Sequence, residues 1–385
     1  MKDKNLIQQP IALRLSSYFF LIFWCIVAAF PIFWISVMSV KLPLDAFNSN
    51  PLNVIFGMET LSKGKGLSLI DITVGLSIIL FTAKLTTGWL GRMVNKYSPN
   101  GYLGFGWIIG AMAFGLSFII IFFGIMPSVL SLFNDISGPL GNNILGFSTE
   151  HYSTVWFEMD FIKNFQNSIM VTTGVVTISL TFGTLAGYGL ARSGSNLAFW
   201  ILIIALIFRA LPHSVLVTGY LPFFINSAEI LRPIFGESAP TLYGMPWATV
   251  AVLVAINQPF TIWMLRSFFQ SIPSELDEAA RVDGCSHFQA FRRVIMPVMW
   301  PGVITTGLFS FLLAYNDFLV TSMLLEAQNT TMVPAIASMF NMETTTTDQV
   351  VAVAAAVSII APLFFLVMFF QRQIVSGLTA GAVKG

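Results

Sequence analysis

Ser271-Ile-Pro-Ser-Glu-Leu-Asp-Glu-Ala-Ala280, Arg281-Val-Asp-Gly-Cys-Ser-His-Phe-Gln-Ala290 and Phe291-Arg-Arg-Val-Ile-Met-Pro297 run on as one polar island between two long apolar stretches. Ser274 with Asp277 three residues on approximates a capping box, opening a short helix of good helix formers from Glu275 to Asp283. Gly284 ends that helix in the manner of a left-handed C-terminal residue. Ser286 with Gln289 is a second capping box, and its helix carries Phe288, Phe291, Arg292 and Val294 until Pro297 stops it. Pro301 then suits the first turn of the next helix. The segment therefore reads as a helix-glycine-helix hairpin. Ala279 and Ala280 allow another surface to approach closely, and Phe288 and Phe291 offer apolar anchors. Spacing alone equally describes an amphipathic hairpin lying on lipid headgroups.

The surroundings of the island settle its environment. Of the 385 residues, 56% are hydrophobic and 10% charged, with a mean hydropathy of +0.79. Soluble domains carry about 25% charged residues, so a soluble enzyme or nucleic-acid binder is excluded. About eight stretches approach the roughly 20 apolar residues that cross a bilayer: about 17–39, 67–90, 102–125, 166–191, 198–222, 247–268, 301–325 and 350–371. With the N-terminus inside, Lys2, Lys4, Arg14, Arg92, Lys96, Arg192, Arg266, Arg281, Arg292, Arg293, Arg372 and Lys384 fall on the cytoplasmic side. Only Lys41, Lys63, Lys65, Lys163 and Arg232 fall outside, while Lys84 and Arg209 lie within helices. Because basic residues resist translocation, both termini are expected in the cytoplasm and the island becomes a cytoplasmic loop. Cys25 and Cys285 lie far apart in a chain with three histidines, so neither a disulfide framework nor a dedicated metal site is expected.

Glu278-Ala279-Ala280, Asp283-Gly284, Phe291-Arg292-Arg293 and Met296-Pro297 closely resemble the EAA loop of ABC importer permeases. The resemblance extends to Trp34-Ile35-Ser36-Val37-Met38-Ser39-Val40-Lys41, to Phe165-Gln166-Asn167-Ser168, and to Gly187-Tyr188-Gly189-Leu190-Ala191-Arg192. Arg209-Ala210-Leu211-Pro212, Tyr315-Asn316-Asp317-Phe318 and the tail from Arg372 to Gly385 fit as well. The tail is the most specific, and is similar to that of the second permease in maltose-type sugar importers. Cys285, His287 and Met296 depart mildly from the family pattern, and residues 51–159 hold an insertion with two extra membrane helices.

The resemblance implies an all-α integral membrane protein: a six-helix type I ABC permease core plus two inserted helices. Its parts would be an N-terminal segment and first helix (1–50), the insertion (51–159), the core (160–371) with the EAA loop at 271–297, and a cytoplasmic tail (372–385). It further implies a non-catalytic subunit of a binding-protein-dependent importer in a bacterial or archaeal cytoplasmic membrane. The implied partners are a second permease, two copies of a P-loop ATPase carrying ATP and Mg, an external solute-binding protein and membrane lipid, with no nucleic acid. Consistently, G-x-x-x-x-G-K-[ST] is absent from the chain, where Gly64-Lys65 is followed by Gly66.

By resemblance, Glu278, Ala279, Ala280, Arg281, Asp283, Gly284 and Phe288 would seat in a cleft of the ATPase. Asn257, Gln258, Tyr315, Asn316 and Asp317 are candidates for the cargo path, because polar groups at membrane depth are costly and amides beside aromatics suit sugars. They serve equally well as interhelical hydrogen-bond partners reaching the second permease. Lys84 suits snorkelling to the interface, and Arg209 a helix-end carbonyl or Asp317. Gly183-Thr-Leu-Ala-Gly187 and Gly106-Trp-Ile-Ile-Gly110 permit close helix approach. A self-sufficient secondary transporter is the alternative, and would show related halves with broken helices.

Overall fold

A computed structural model describes residues 11–85, 142–341 and 345–382. It divides into two compact units. Among the described residues the first holds 11–74, 142–155 and 345–358, and the second holds 75–85, 156–341 and 359–382.

The first unit begins with α1 (Ile11–Met38), whose apolar side chains point outward on every side, as on a helix solvated by lipid or another protein. Beyond it the chain turns compactly. Asn50 caps the short helix Pro51–Phe56 by accepting from the Leu52 amide at 3.0 Å, and Gly57 ends it at φ +68°. Asp45 accepts from the Glu59 and Thr60 amides at 3.1 and 2.7 Å. The strands β1 (Gly66–Ser68) and β2 (Asn143–Gly146) pair antiparallel, Leu67 opposite Leu145, with an irregularity between Leu67 and Ser68. Between them α2 (Leu69–Leu85) starts the first expected inserted helix; the second, 102–125, and Gly106–Gly110 lie outside the described residues. Residues 51–66 and 142–155, expected as plain outer loop, carry short helices and this two-stranded ribbon, a local addition to an otherwise all-α membrane protein.

Lys41 holds this cap together. Its side chain is buried, Nζ donates to the Gly146 carbonyl, and its own carbonyl meets His151 Nε2 at 2.9 Å. Burial pushes the Lys41 ammonium down to about 8, with Asp45 opposing. Burial likewise lowers His151, with the Lys41 carbonyl and Glu150 opposing and Lys65 adding to the fall. Both groups bind protons less readily in the folded cap than in an unfolded chain, so cap stability rises with pH. The histidine contribution is complete above its ordinary value of 6.5 and is lost as pH falls below it. Hydrogen exchange of residues 143–152, corrected for intrinsic rates, should therefore accelerate between pH 7 and pH 5. His151→Gln should flatten that response.

In the second unit the elements that frame the site are α3 (Phe161–Arg192), α4 (Asn196–Arg209), α5 (His213–Ile225), α6 (Pro246–Ser271), α7 (Glu275–Val282), α8 (His287–Ala290), α9 (Met296–Tyr315), α10 (Leu319–Leu324), α11 (Met332–Asn341) and the later part of α12 (Thr346–Ala382). Five helices of the described chain are long and apolar enough to cross a membrane, or six if α4 and α5 form one span. That pair corrects the expected continuous helix over 198–222: it bends by 93° at Ala210-Leu211-Pro212. Pro212 disfavours helical backbone at Leu211, which suffices for a break at this point. The expected helix over 301–325 likewise ends at Tyr315 and resumes as α10.

α3 and α6 pack with their backbones closely appressed. A Cβ at Gly183 would sit 2.6 Å from Thr261 Cγ2, and one at Gly187 would sit 3.1 Å from the Arg266 nitrogen. The glycine pair in Gly183-Thr-Leu-Ala-Gly187 thus removes the side chains that would hold the two helices apart. Around this seam lie two buried apolar clusters. One is built on Val171, Val175, Leu253 and Ile256, and the other on Leu265, Phe269, Phe291, Ile295 and Met299. Asn167 and Ser168 bind the turn before α11, at the Thr330 carbonyl (3.2 Å) and the Met332 amide (2.8 Å).

Candidate functional site: a hairpin at the end of the bundle

The polar island folds as two arms about Gly284. α7 closes with the Cys285 amide on the Ala280 carbonyl and the Gly284 amide on the Arg281 carbonyl, both at 3.0 Å, with Gly284 at φ +86°. This is the paired-bond helix ending that a left-handed glycine permits. Ser286 Oγ accepts from the Gln289 amide at 3.3 Å and the Ser286 amide donates to Gln289 Oε1 at 2.9 Å, completing the expected capping box.

Two local expectations fail. Ser274 has helical backbone angles and makes no capping bond; its supposed partner Asp277 is drawn to the bundle instead. Nor does Pro297 stop the second arm. The chain runs on through a π-turn, Phe291–Ile295, into α9. Proline removes one helical donor and crowds the carbonyl four residues back, and the widened turn just upstream accommodates that defect.

The residues of the hairpin divide by exposure. Glu278, Ala279, Arg281, Asp283 and Gly284 are exposed, as are Val282 at 87% and Phe288 at 63%. Glu278, Arg281, Val282, Cys285, Ser286 and His287 line an open recess of about 610 Å³. Ala280 and Phe291, read as contact residues from the sequence, are buried in their own chain. Both face the bundle because the arms pack along one apolar side: Phe291 sits on Tyr188 at 4.8 Å and near Phe269 at 6.3 Å. The surface offered to a partner is thus charged and small on the first arm, with Val282 and Phe288 as its apolar points.

The membrane-depth polar residues are dispersed. Asn257 is 1% exposed and donates to Ser310 Oγ at 2.8 Å, with Thr261 Oγ1 3.4 Å from the same oxygen. Gln258 Nε2 reaches the Ser179 carbonyl at 3.4 Å. Tyr315 is buried, donates to the Ile359 carbonyl at 3.0 Å and stacks on Phe311. Asp317 Oδ2 accepts from the Thr321 amide at 2.9 Å, at the start of α10, and Asn316 and Phe318 are exposed. Asn257 and Tyr315 thus tie helices within this chain through the bonds they donate, and both are buried, with Asn257 Oδ1 lacking a partner among the described residues. Among the described residues Arg209 takes neither partner expected of it: its guanidinium lies over the Phe260 ring, 4.6 Å from the centroid. Lys84 lies on α2. Among the described residues no cluster of His, Cys, Asp and Glu suits a metal ion, and both cysteines are free.

The sequence reading missed Tyr188 and Arg192 as partners of the hairpin, although both stand in the quoted Gly187–Arg192 motif. A tyrosine and an arginine four residues apart, ending a long helix, share one face and are the signal that was available.

Comparison with known proteins adds the family. The model of the inner membrane component of binding-protein-dependent transport systems matches residues 179–379. The diacetylchitobiose uptake system permease protein DasC of Streptomyces coelicolor is 32% identical over 277 residues, covering 69% of this chain and 95% of that protein. The maltodextrin transport system permease protein MdxG of Bacillus subtilis is 28% identical, covering 62% and 81%. The trehalose/maltose transport system permease protein MalG of Thermococcus litoralis is 29% identical, covering 72% and 96%. The matched span takes in the end of α3, the whole hairpin and most of α12, and on that ground the chain belongs to the binding-protein-dependent inner membrane components, the non-catalytic permeases of ABC importers, in their carbohydrate branch.

Proposed function

We propose that this permease forms one half of a pore for an oligosaccharide or disaccharide, and that its hairpin receives the stroke of a separate ATPase. The observation that carries the reading is the exposed first arm, Glu278 to Gly284, ending in a glycine-locked turn and flanked by exposed Val282 and Phe288. Such a surface is rigid, charged and small, which suits insertion into a cleft on a partner. Glu278, Ala279, Arg281, Asp283, Gly284 and Phe288 are the proposed contacts, with Ala280 packing beneath them. The relatives named for diacetylchitobiose, maltodextrin, trehalose and maltose support a sugar cargo.

A second permease, two ATPase copies holding ATP and Mg, and an external solute-binding protein complete the proposed assembly in a bacterial or archaeal cytoplasmic membrane. The excess of Lys and Arg on one side supports cytoplasmic termini, and six core helices with two inserted ones remain the proposed count. Tagged protein extracted from its native membrane in mild detergent should carry with it a P-loop ATPase and a second permease. Recovery of this chain alone, under conditions that preserve a control transporter, would contradict the assembly.

For the cargo path the exposed Asn316 and Phe318 are better placed than the buried Asn257 and Tyr315. Asn257→Ala should cost stability, about 1–3 kcal/mol for a buried hydrogen bond left half made, read as a lower unfolding temperature in detergent. Asn316→Ala should leave that temperature unchanged and alter uptake.

A further inference from the structure

We propose that Tyr188, Arg192 and Asp277 form the joint through which the hairpin moves the membrane helices, a proposal that rests on the coupling role given above. Asp277 stands in the first turn of α7 and uses both carboxylate oxygens. Tyr188 donates to Oδ1 at 2.6 Å and Arg192 Nε donates to Oδ2 at 2.7 Å. The same guanidinium donates through Nη1 to the Ile272 carbonyl at 3.2 Å and the Phe269 carbonyl at 3.4 Å, where α6 ends. One arginine thus fastens the end of α3, the end of α6 and the start of the first arm. Tyr188 adds the second arm, since its ring lies on Phe291 at 4.8 Å and beside Phe269 at 5.5 Å.

The location matters as much as the bonds. Among the described residues, the side-chain hydrogen bonds from the first arm into the bundle all end on Asp277. The exposed tip, Glu278 to Phe288, lies beyond it; the second arm carries a push on the tip into α9 through the chain itself, whereas this carboxylate is the polar link from the first arm to α3 and the end of α6. Apolar contact is non-directional and lets surfaces slide. A carboxylate held by a tyrosine and an arginine fixes direction as well as distance. On the bundle side the joint bears on a stiff base, because one turn away Gly187 brings α3 against the α6 backbone. Arg192 and Asp277 are 22% and 15% exposed, so the pair is only partly desolvated and is suited to orienting the arm more than to stabilising it. These three are positioning residues; none is offered to the ATPase.

The test uses the full complex purified from native membranes. Asp277→Asn, Arg192→Ala, Tyr188→Phe and the exchanged pair Arg192→Asp with Asp277→Arg are compared for ATPase recovered and for hydrogen exchange of residues 180–192 with and without ATP and vanadate. The single charge variants should retain the ATPase at the wild-type ratio, yet lose the nucleotide-dependent change in exchange by about tenfold, as loss of a charge-assisted hydrogen bond implies. Tyr188→Phe should show a smaller loss, and the exchanged pair should regain part of the response. A wild-type response in the charge variants would overturn the joint. So would loss of the ATPase from them without rescue by the exchanged pair, since that describes a purely structural contact. Absence of any ATPase from the wild-type preparation would instead overturn the coupling role itself.

Discussion

Gly284→Val is expected to leave the protein in the membrane and to lower uptake by about tenfold or more. At φ +86° the residue sits where a β-branched side chain is strained. A Cβ there would meet no atom within 4 Å, so the effect is one of backbone conformation and not of crowding. Holding such a residue in this region costs about 1–3 kcal/mol. The chain can relieve that strain by undoing the turn, at the expense of the bonds from Cys285 and Gly284 back to α7. A tip that abandons its turn no longer presents Glu278 and Phe288 together. Gly284→Asn, which tolerates left-handed backbone, should keep most of the activity, and Gly284→Asp should fall between the two because it also adds charge beside Asp283. Uptake normalised to membrane abundance checks this series; equal uptake by the valine and asparagine variants would mean that the turn geometry is immaterial.

Gly187→Leu should act earlier, on folding. Its first side-chain atom would lie 3.1 Å from the Arg266 nitrogen and 3.1 Å from Leu265 Cβ, and backbone cannot step aside as a side-chain tip can. Overpacking of this kind costs about 1–3 kcal/mol even for smaller additions, and a whole isobutyl group at a helix seam belongs at or beyond the upper end. The expected result is little accumulated protein and a lowered unfolding temperature in what remains. Gly189→Leu, on the same helix but with open space around its Cβ position, is the control and should accumulate normally.

Much of this molecule was legible because local chemistry decided it. The glycine that turns the hairpin, the Ser286–Gln289 cap and the Gly183–Gly187 face each depend on a residue type at a fixed spacing, and each has its counterpart in the structure. What stayed hidden depends on partners distant in sequence. Asp277 satisfies the spacing of a cap three residues after Ser274, but Tyr188 and Arg192, carried in by the packing of α3 on α6, compete for the same oxygens and win. Asn257 and Tyr315 look like pore-lining groups in any list of intramembrane polar residues; only the positions of Ser310 and Ile359 reveal that the Asn257 amide N–H and the Tyr315 hydroxyl already donate within the chain. The bend at Pro212 was obscured by hydropathy, which registers a continuous apolar run across a backbone break. The ribbon beside Lys41 pairs two segments of the inserted region that lie more than 70 residues apart in sequence, and its three- and four-residue strands carry too little alternation to be recognised.

The central claim, that the exposed tip of the hairpin enters an ATPase, is tested most directly by cross-linking from single cysteines in the intact chain, with Cys25 and Cys285 replaced by serine. Phe288→Cys, at a position 63% exposed, should form a cross-link to a P-loop ATPase in native membranes, whereas Ala290→Cys, at a position 1% exposed two residues away, should not. A Phe288→Cys protein that reacts with a headgroup-depth lipid probe and yields no ATPase adduct would contradict the account and return the hairpin to the membrane surface.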